Sequence, residues 1–456
     1  MDHQLIRRLH QETGARAQAW TTTERNAGRA PSAPMYQVRA AAFANETVAE
    51  HMQTLLASGQ QAPTPAEEEA LVDAILARMF GAGRLQQMLE DPALADMTDL
   101  DINGCDEVFA TFTDGRKQRL PSVAETDEEL VELVQTLASY VGRNPRPWDA
   151  ASPQLNLRLS DASRLAATHQ SLSGRPVVSV RRSLHPRVFL DDLVRFGSVS
   201  PELAAFLRAA VQARFNLIIA GGTRAGKTTL LRALVNEIDR TERLIICEDS
   251  LEIGLRAHLD LHENVVEMES RLPNSEGVGA VTLAQLVRHT LRMNPDRVIV
   301  GEVRGPEALV MLSAMTQGND GSMSTIHARY ARQVFERLAT LAASAGDGMD
   351  LVTSRVLISQ AIDFVIYCDQ VRTGPRTRQR VVSTVLEVTG FDGVVQANEV
   401  FGLAGTEAVY TRIALSRQDA LADAGWTPDR YDATPPESYL QAAGGSAVST
   451  PMGWSG

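Results

Sequence analysis

From Glu67 onward, apolar residues recur at helical spacing: Leu71, Val72, Ile75, Leu76 and Met79, then Leu85, Met88 and Leu89 beyond the Gly81 to Gly83 interruption. That pattern predicts two short helices. Residues 100–120 alternate apolar and polar side chains on both sides of Thr113-Asp114-Gly115, where the glycine supplies the positive φ of a hairpin turn. DEELVELVQTLASYV is helical again, and NLRLSDASRLAATH and RPVVSVRR read as strands. Residues 61–182 are therefore expected to form an α+β domain. Residues 1–60 mix Gln, Ala, Thr and Arg with few large apolar side chains, and APSAPMYQ interrupts any long helix because proline removes a backbone donor. A loosely ordered arm is expected there.

Residues 183–200 have the mixed character of a linker that still docks, and Pro186, Gly197 and Ser198 mark it as a hinge. Ser200 followed by Pro201 is a helix start, a hydroxyl cap and then proline in the first turn. Beyond it, NLIIAG, KTTLLRALVNEI, RLIICED and DRVIVGE give strand, helix, strand and strand in the rhythm of a parallel sheet. The expected fold is α/β, with a P-loop domain over residues 201–400. Residues 401–456 are an extension ending in the Gly- and Ser-rich tail QAAGGSAVSTPMGWSG, which reads as flexible.

Forty-four Lys and Arg against 56 Asp and Glu leave a formal charge of −12, which excludes a generally basic nucleic-acid coat. The three cysteines, Cys105, Cys247 and Cys368, lie more than a hundred residues apart and lack the short spacings of zinc or disulfide frameworks. A reducing cytosol is the simplest setting. The start of the chain has no apolar signal region, and no apolar run approaches the roughly 18 residues that span a bilayer. Membrane contact is expected to be peripheral.

Gly221-Gly222-Thr223-Arg224-Ala225-Gly226-Lys227-Thr228 fits GxxxxGK[ST] between an apolar strand and a helix, the context that lets backbone N–H groups converge on a phosphate. Lys227 is expected at the β- and γ-phosphates, the Thr228 hydroxyl on magnesium, and Thr229 in the first helical turn beside them. LIICEDSLEI supplies Glu248, Asp249 and Glu252 at the end of a strand expected beside the P-loop strand, so that they face the phosphates. RVIVGEVRG puts Glu302 where an acidic residue can orient water and take its proton, while Gly301 stands where many P-loop enzymes have a metal-binding Asp. His327 is either a γ-phosphate sensor or a packed imidazole. Arg372, Arg376, Arg378 and Arg380 read as a solvated hairpin loop.

The order of these strings resembles the type II/type IV secretion-system ATPase superfamily, closest to the CpaF-like, tight-adherence (Tad/Flp) pilus assembly branch. The resemblance runs from about residue 67 to 400 and rests on AGGTRAGKTTLLRAL, ICEDSLEI, HENVVEMESR, LVRHTLRMNPDRVIVGEVRGPEALVMLSAMTQGNDGSMSTIHA, AIDFVIYCDQV and VLEVTGFDG. It implies a RecA-like ATPase domain, with Lys227 and Thr228 as the Walker A pair, Glu252 as the second Glu of the Asp box and a metal ligand, Glu302 as the Walker B Glu, and His327 as the His-box histidine. It also implies an amino-terminal domain that supplies arginines, for which Arg164, Arg181 and Arg182 are candidates. ATP and magnesium are the implied cofactors. The implied assembly is a hexameric motor, peripheral at the inner face of the cytoplasmic membrane, that pushes on an inner-membrane platform protein. The sequence departs from the family pattern at Thr223-Arg224-Ala225, at Asn319 and at Ala162. A nucleic-acid translocase and a nonhydrolysing scaffold are the alternatives; no nucleic-acid partner is expected.

Overall fold

The structure is a computed structural model that describes residues 3–428 apart from 28, 30–32, 61–62, 81–83, 141–146, 160, 162, 183, 185–186, 272, 274–276, 347 and 375–377. Ala162, Pro186, Arg376 and the carboxy-terminal tail lie outside the described residues. The chain divides into two units, Met1–Leu184 and His185–Gly456.

The first unit opens with three helices, α1 (His3–Asn26), α2 (Ala33–Ala57) and α3 (Pro65–Phe80). The expected loose arm is thus two long helices. Their shared core combines Ile6, Leu9, Phe43, Val48 and Met52 with Ala17, Ala40 and Ala44 and with Leu71, Ile75 and Met79 of α3. Alanines let helices approach closely and so substitute for large side chains, which is why a count of large apolar residues missed this core. Pro34 sits in the first turn of α2, where its missing N–H has no helical partner to lose.

After α4 (Arg84–Glu90) come β1 (Met97–Asn103), β2 (Val108–Phe112), β3 (Lys117–Leu120), α5 (Asp127–Tyr140), β4 (Gln154–Arg158), β5 (Arg164–Thr168), α6 (Gln170–Ser173) and β6 (Val177–Arg181). The strands form one antiparallel sheet in the order β3-β2-β1-β6-β5-β4. The stretch read as one hairpin around Gly115 contains a second turn at Gly104, and NLRLSDASRLAATH is itself a hairpin of β4 and β5.

The second unit begins with α7 (Leu190–Arg195), which buries Leu190 and Leu193 in the core beside Val188 and Val199, so the expected linker is from Val188 onward part of this unit. Then follow α8 (Pro201–Gln212), β7 (Leu217–Gly221), α9 (Lys227–Val235), β8 (Leu244–Glu248), β9 (Val265–Glu269), α10 (Leu283–Thr290), β10 (Arg297–Val303), α11 (Glu307–Met315), β11 (Met323–His327), α12 (Gln333–Ala343) and α13 (Leu351–Ala361). Four strands and a helix complete it: β12 (Phe364–Arg372), β13 (Arg378–Asp392), β14 (Val394–Ala404), β15 (Glu407–Tyr410) and α14 (Gln418–Asp423).

The nine strands run in the order β15-β14-β13-β12-β7-β11-β10-β8-β9. From β12 to β9 every pair is parallel, while β12 to β15 form an antiparallel meander. LIIAG and LIICE are buried at every position, as expected of strands covered on both faces. One apolar core lies with α7, α8 and α9 on one face of the sheet and a second lies with α10 to α13 on the other. This is a RecA-like P-loop domain, preceded by a smaller α+β domain. Residues 401–426 are no mere extension: Trp426 is fully buried and packs edge-on against Phe206 at 5.1 Å and Tyr410 at 5.4 Å.

Candidate nucleotide site

The P-loop turns out of β7 and enters α9. Gly221 has φ 153°, and a Cβ there would lie 2.3 Å from the Cys368 carbonyl oxygen, so only glycine fits between β7 and β12. Gly226 caps α9 in the left-handed region with φ 96°. Arg224 also has a positive φ, 63°. The Lys227 ammonium donates to the carbonyls of Gly221 at 3.2 Å and Gly222 at 2.9 Å. These N–H-rich turns at a helix N-terminus can hold an anion.

The strand order brings chemistry to one flank of this loop. His327 ends β11, the neighbour of β7, and Glu302 lies on β10, one strand further. Lys227 Nζ is 3.1 Å from His327 Nδ1. Burial first, and then Lys227, lowers the His327 pKa, which keeps the ring neutral at pH 7. With Nδ1 facing an ammonium, we assign the proton to Nε2. That atom lies 3.1 Å from Glu302 Oε1 but off the line a hydrogen bond needs, since Oε1 is buried and accepts none among the described residues. Glu302 Oε2 takes a 2.6 Å bond from Arg304. The orphaned oxygen is an acceptor held ready for a donor such as water. Burial lowers the Lys227 pKa, and Glu302 opposes that shift.

The carboxylate cluster is arranged otherwise than the sequence leads one to expect. β8 is not beside the P-loop strand, because β11 and β10 intervene. Glu248 does not face the loop: it is buried and its Oε1 accepts the N–H groups of Glu252 at 3.0 Å and Ile253 at 3.2 Å. Burial raises its pKa to about 8. Its side chain fills the space beside Gly301, where a Cβ would meet Glu248 Cγ at 2.7 Å. Asp249 is exposed. Glu252 does reach the loop, with Thr228 Oγ1 donating to its Oε2 at 3.2 Å. Among the described residues no group of three or more His, Cys, Asp or Glu side chains is placed to hold a metal. A hydroxyl and one carboxylate nevertheless fit magnesium, which keeps waters and phosphate oxygens among its ligands.

In the first unit, Arg164 and Arg181 are direct cross-strand partners on β5 and β6. Arg181 Nε donates to Asp99 at 3.0 Å. Arg182 is held by the Leu94 carbonyl at 2.8 Å, a structural bond. Asn319 donates to the Ala314 carbonyl in the last turn of α11. Two features escaped sequence reasoning. Arg304 follows Glu302 by two residues, a spacing that puts both on one face of a strand end. Arg372, Arg378 and Arg380 of the basic hairpin are exposed, as expected, but they lie on β12 and β13 rather than in a loop, and Arg380 runs beside the P-loop, where a Cβ at Gly226 would be 3.8 Å from its Cδ.

Residues 146–418 match the family described as Type II/IV secretion system protein, and the chain belongs to that family. A putative conjugal transfer protein of Mycobacterium tuberculosis is 32% identical over 354 residues, covering 75% of this chain and 95% of that protein. Protein VirB11 of Agrobacterium fabrum is 38% identical over 167 residues, 36% of this chain and 47% of its own length. The Legionella pneumophila ATPase DotB, a solved structure, is 20% identical with a TM-score of 0.48 and covers 68% of this chain and 81% of its own.

Proposed function

We propose that this protein is a magnesium-dependent ATP-hydrolysing motor that powers pilus assembly or protein secretion. It works as a homo-oligomer, a hexamer, against an inner-membrane platform protein, and the tight-adherence pilus branch is its setting. The observation that carries the reading is the convergence of Lys227, neutral His327 and the orphaned Glu302 oxygen at one flank of the P-loop. Family membership supports it.

In this reading Lys227 leaves its carbonyl partners for the β- and γ-phosphates. Glu302 orients the attacking water and accepts its proton. His327 offers its Nε2 proton toward the γ-phosphate. Thr228 and Glu252 would hold magnesium, which when bound would neutralise phosphate charge. Arg164 and Arg181 take part in hydrolysis, and alanine at either lowers turnover. The motor is cytoplasmic and peripheral to the membrane; among the described residues no helix is long and apolar enough to cross one.

The test is phosphate release alongside nucleotide binding. Glu302→Gln should keep ATP binding and lose turnover by about 100-fold or more, the range for removing a general base. Lys227→Ala should lose binding too. Equal hydrolysis by wild type and Glu302→Gln refutes the assignment, and absence of turnover in wild type favours a nonhydrolysing scaffold. Light scattering with ATP and magnesium tests the ring, which a monomer at micromolar concentration would exclude.

A further inference from the structure

The P-loop has two flanks, and His327 and Glu302 occupy only one of them. In the strand order β13-β12-β7-β11-β10, His327 and Glu302 lie on the β11 and β10 side of β7, while β12 and β13 lie on the other. The hairpin of β12 and β13 touches the loop at three levels. The Cys368 carbonyl backs Gly221 closely enough to forbid a Cβ there. One step further out, Gln370 Nε2 donates to the Thr223 carbonyl at 3.3 Å. Arg380 is the register partner of Gln370, so both side chains stand on the same face of the hairpin. The Arg380 stem lies against Gly226, at the entry to α9.

A nucleotide with its β-phosphate in the loop and its γ-phosphate toward Glu302 must run its α-phosphate and nucleoside away from Glu302, toward the opposite flank. Arg380 stands at that flank. Arg380 is exposed, and its side chain has no hydrogen bond or ion pair among the described residues. A guanidinium in such a position offers a planar fork of donors that matches phosphate oxygens.

We infer that Arg380 is a nucleotide-binding residue that holds the α-phosphate from the β12–β13 side, with Gln370 fixing the hairpin against the loop. The inference rests on the P-loop reading of the proposed function and adds a second, γ-independent grip. Because ATP and ADP share the α-phosphate, the contact strengthens both equally. It is thus an anchor for the nucleotide and has no part in sensing hydrolysis.

The experiment is titration of the full chain with ADP and with AMP-PNP, in magnesium, for wild type, Arg380→Gln, Arg380→Lys and Lys227→Ala. Arg380→Gln should weaken both ligands by the same factor, about tenfold or more, as for loss of a charged hydrogen bond. Arg380→Lys, which keeps a positive charge, should recover part of that loss. The exposed side chain leaves the nucleotide-free melting temperature of both variants unchanged, which separates a contact from a folding effect. Weakening of AMP-PNP alone would make Arg380 a γ-phosphate reader and overturn the inference. Unchanged affinity in Arg380→Gln beside lost affinity in Lys227→Ala would overturn it while leaving the proposed function standing. Failure of wild type to bind either ligand would remove both.

Discussion

Replacing Gly301 by alanine puts a methyl group 2.7 Å from Glu248 Cγ and 2.9 Å from its Oε1. Glu248 has nowhere to retreat, since its residue is only 3% exposed and its carboxyl group is tied to the N–H groups of Glu252 and Ile253. Relief requires either a shift of β8 against β10 or loss of those bonds. Overpacking of a filled interior costs about 1–3 kcal/mol, and a buried N–H left without its acceptor costs about 1–3 kcal/mol. Gly301→Ala is therefore expected to destabilise by about 2–3 kcal/mol, read from denaturant unfolding of the nucleotide-free protein. The stronger check is a double-mutant cycle with Glu248→Ala. That change alone opens a cavity and strands two N–H groups. Once the carboxyl group is gone, however, the methyl at 301 enters free space and should add less than about 0.5 kcal/mol. If Gly301→Ala is neutral, or if the two costs simply add, Glu248 and Gly301 do not share the space and the account of the missing Asp fails.

That exchange of side chains across two strands marks what could be read from the sequence and what could not. The P-loop was legible because one contiguous string carries strand, turn and helix cap, and burial of LIIAG follows from its unbroken apolar run. Glu302 was legible for the same reason, at the end of RVIV. The neighbouring carboxylates were not. Glu248, Asp249 and Glu252 are alike in sequence, and the turn after β8 decides that Glu248 points inward, Asp249 outward and Glu252 to Thr228. Strand order is equally hidden, because β8 follows β7 in the chain yet lies three places from it in the sheet. The Arg380 contact depends on a register between Gln370 and Arg380 across a hairpin, which no local pattern encodes. In α1 and α2 the misreading came from counting large side chains where buried Ala17, Ala40, Ala44, Thr13 and Thr47 make the contact surface.

Glu248 also predicts a pH dependence. Its folded pKa of about 8 lies above its ordinary value of 4.5, so between these the folded state holds a proton that the unfolded state lacks. Its contribution is complete below about pH 4.5 and is lost as pH rises through 8; without magnesium, wild type should lose a few kcal/mol more stability over that interval than Glu248→Gln does, and an equal slope in the two proteins would remove the cause. Arg224 has a φ of 63°, a conformation that L side chains adopt with strain of about 1–2 kcal/mol. Glycine would relieve that strain but bring its own loss of backbone entropy, about 0.5–1 kcal/mol, a backbone balance of about 0–1.5 kcal/mol in favour of glycine, while the interactions of the arginine side chain are lost alike in every variant that lacks it. A β-branched residue has neither the freedom of glycine nor a straight stem, and its Cβ substituents crowd the carbonyl in the left-handed region. Arg224→Val should therefore destabilise by about 1 kcal/mol more than Arg224→Gly. Equal stabilities for the two variants would mean that the loop leaves the left-handed conformation at no cost.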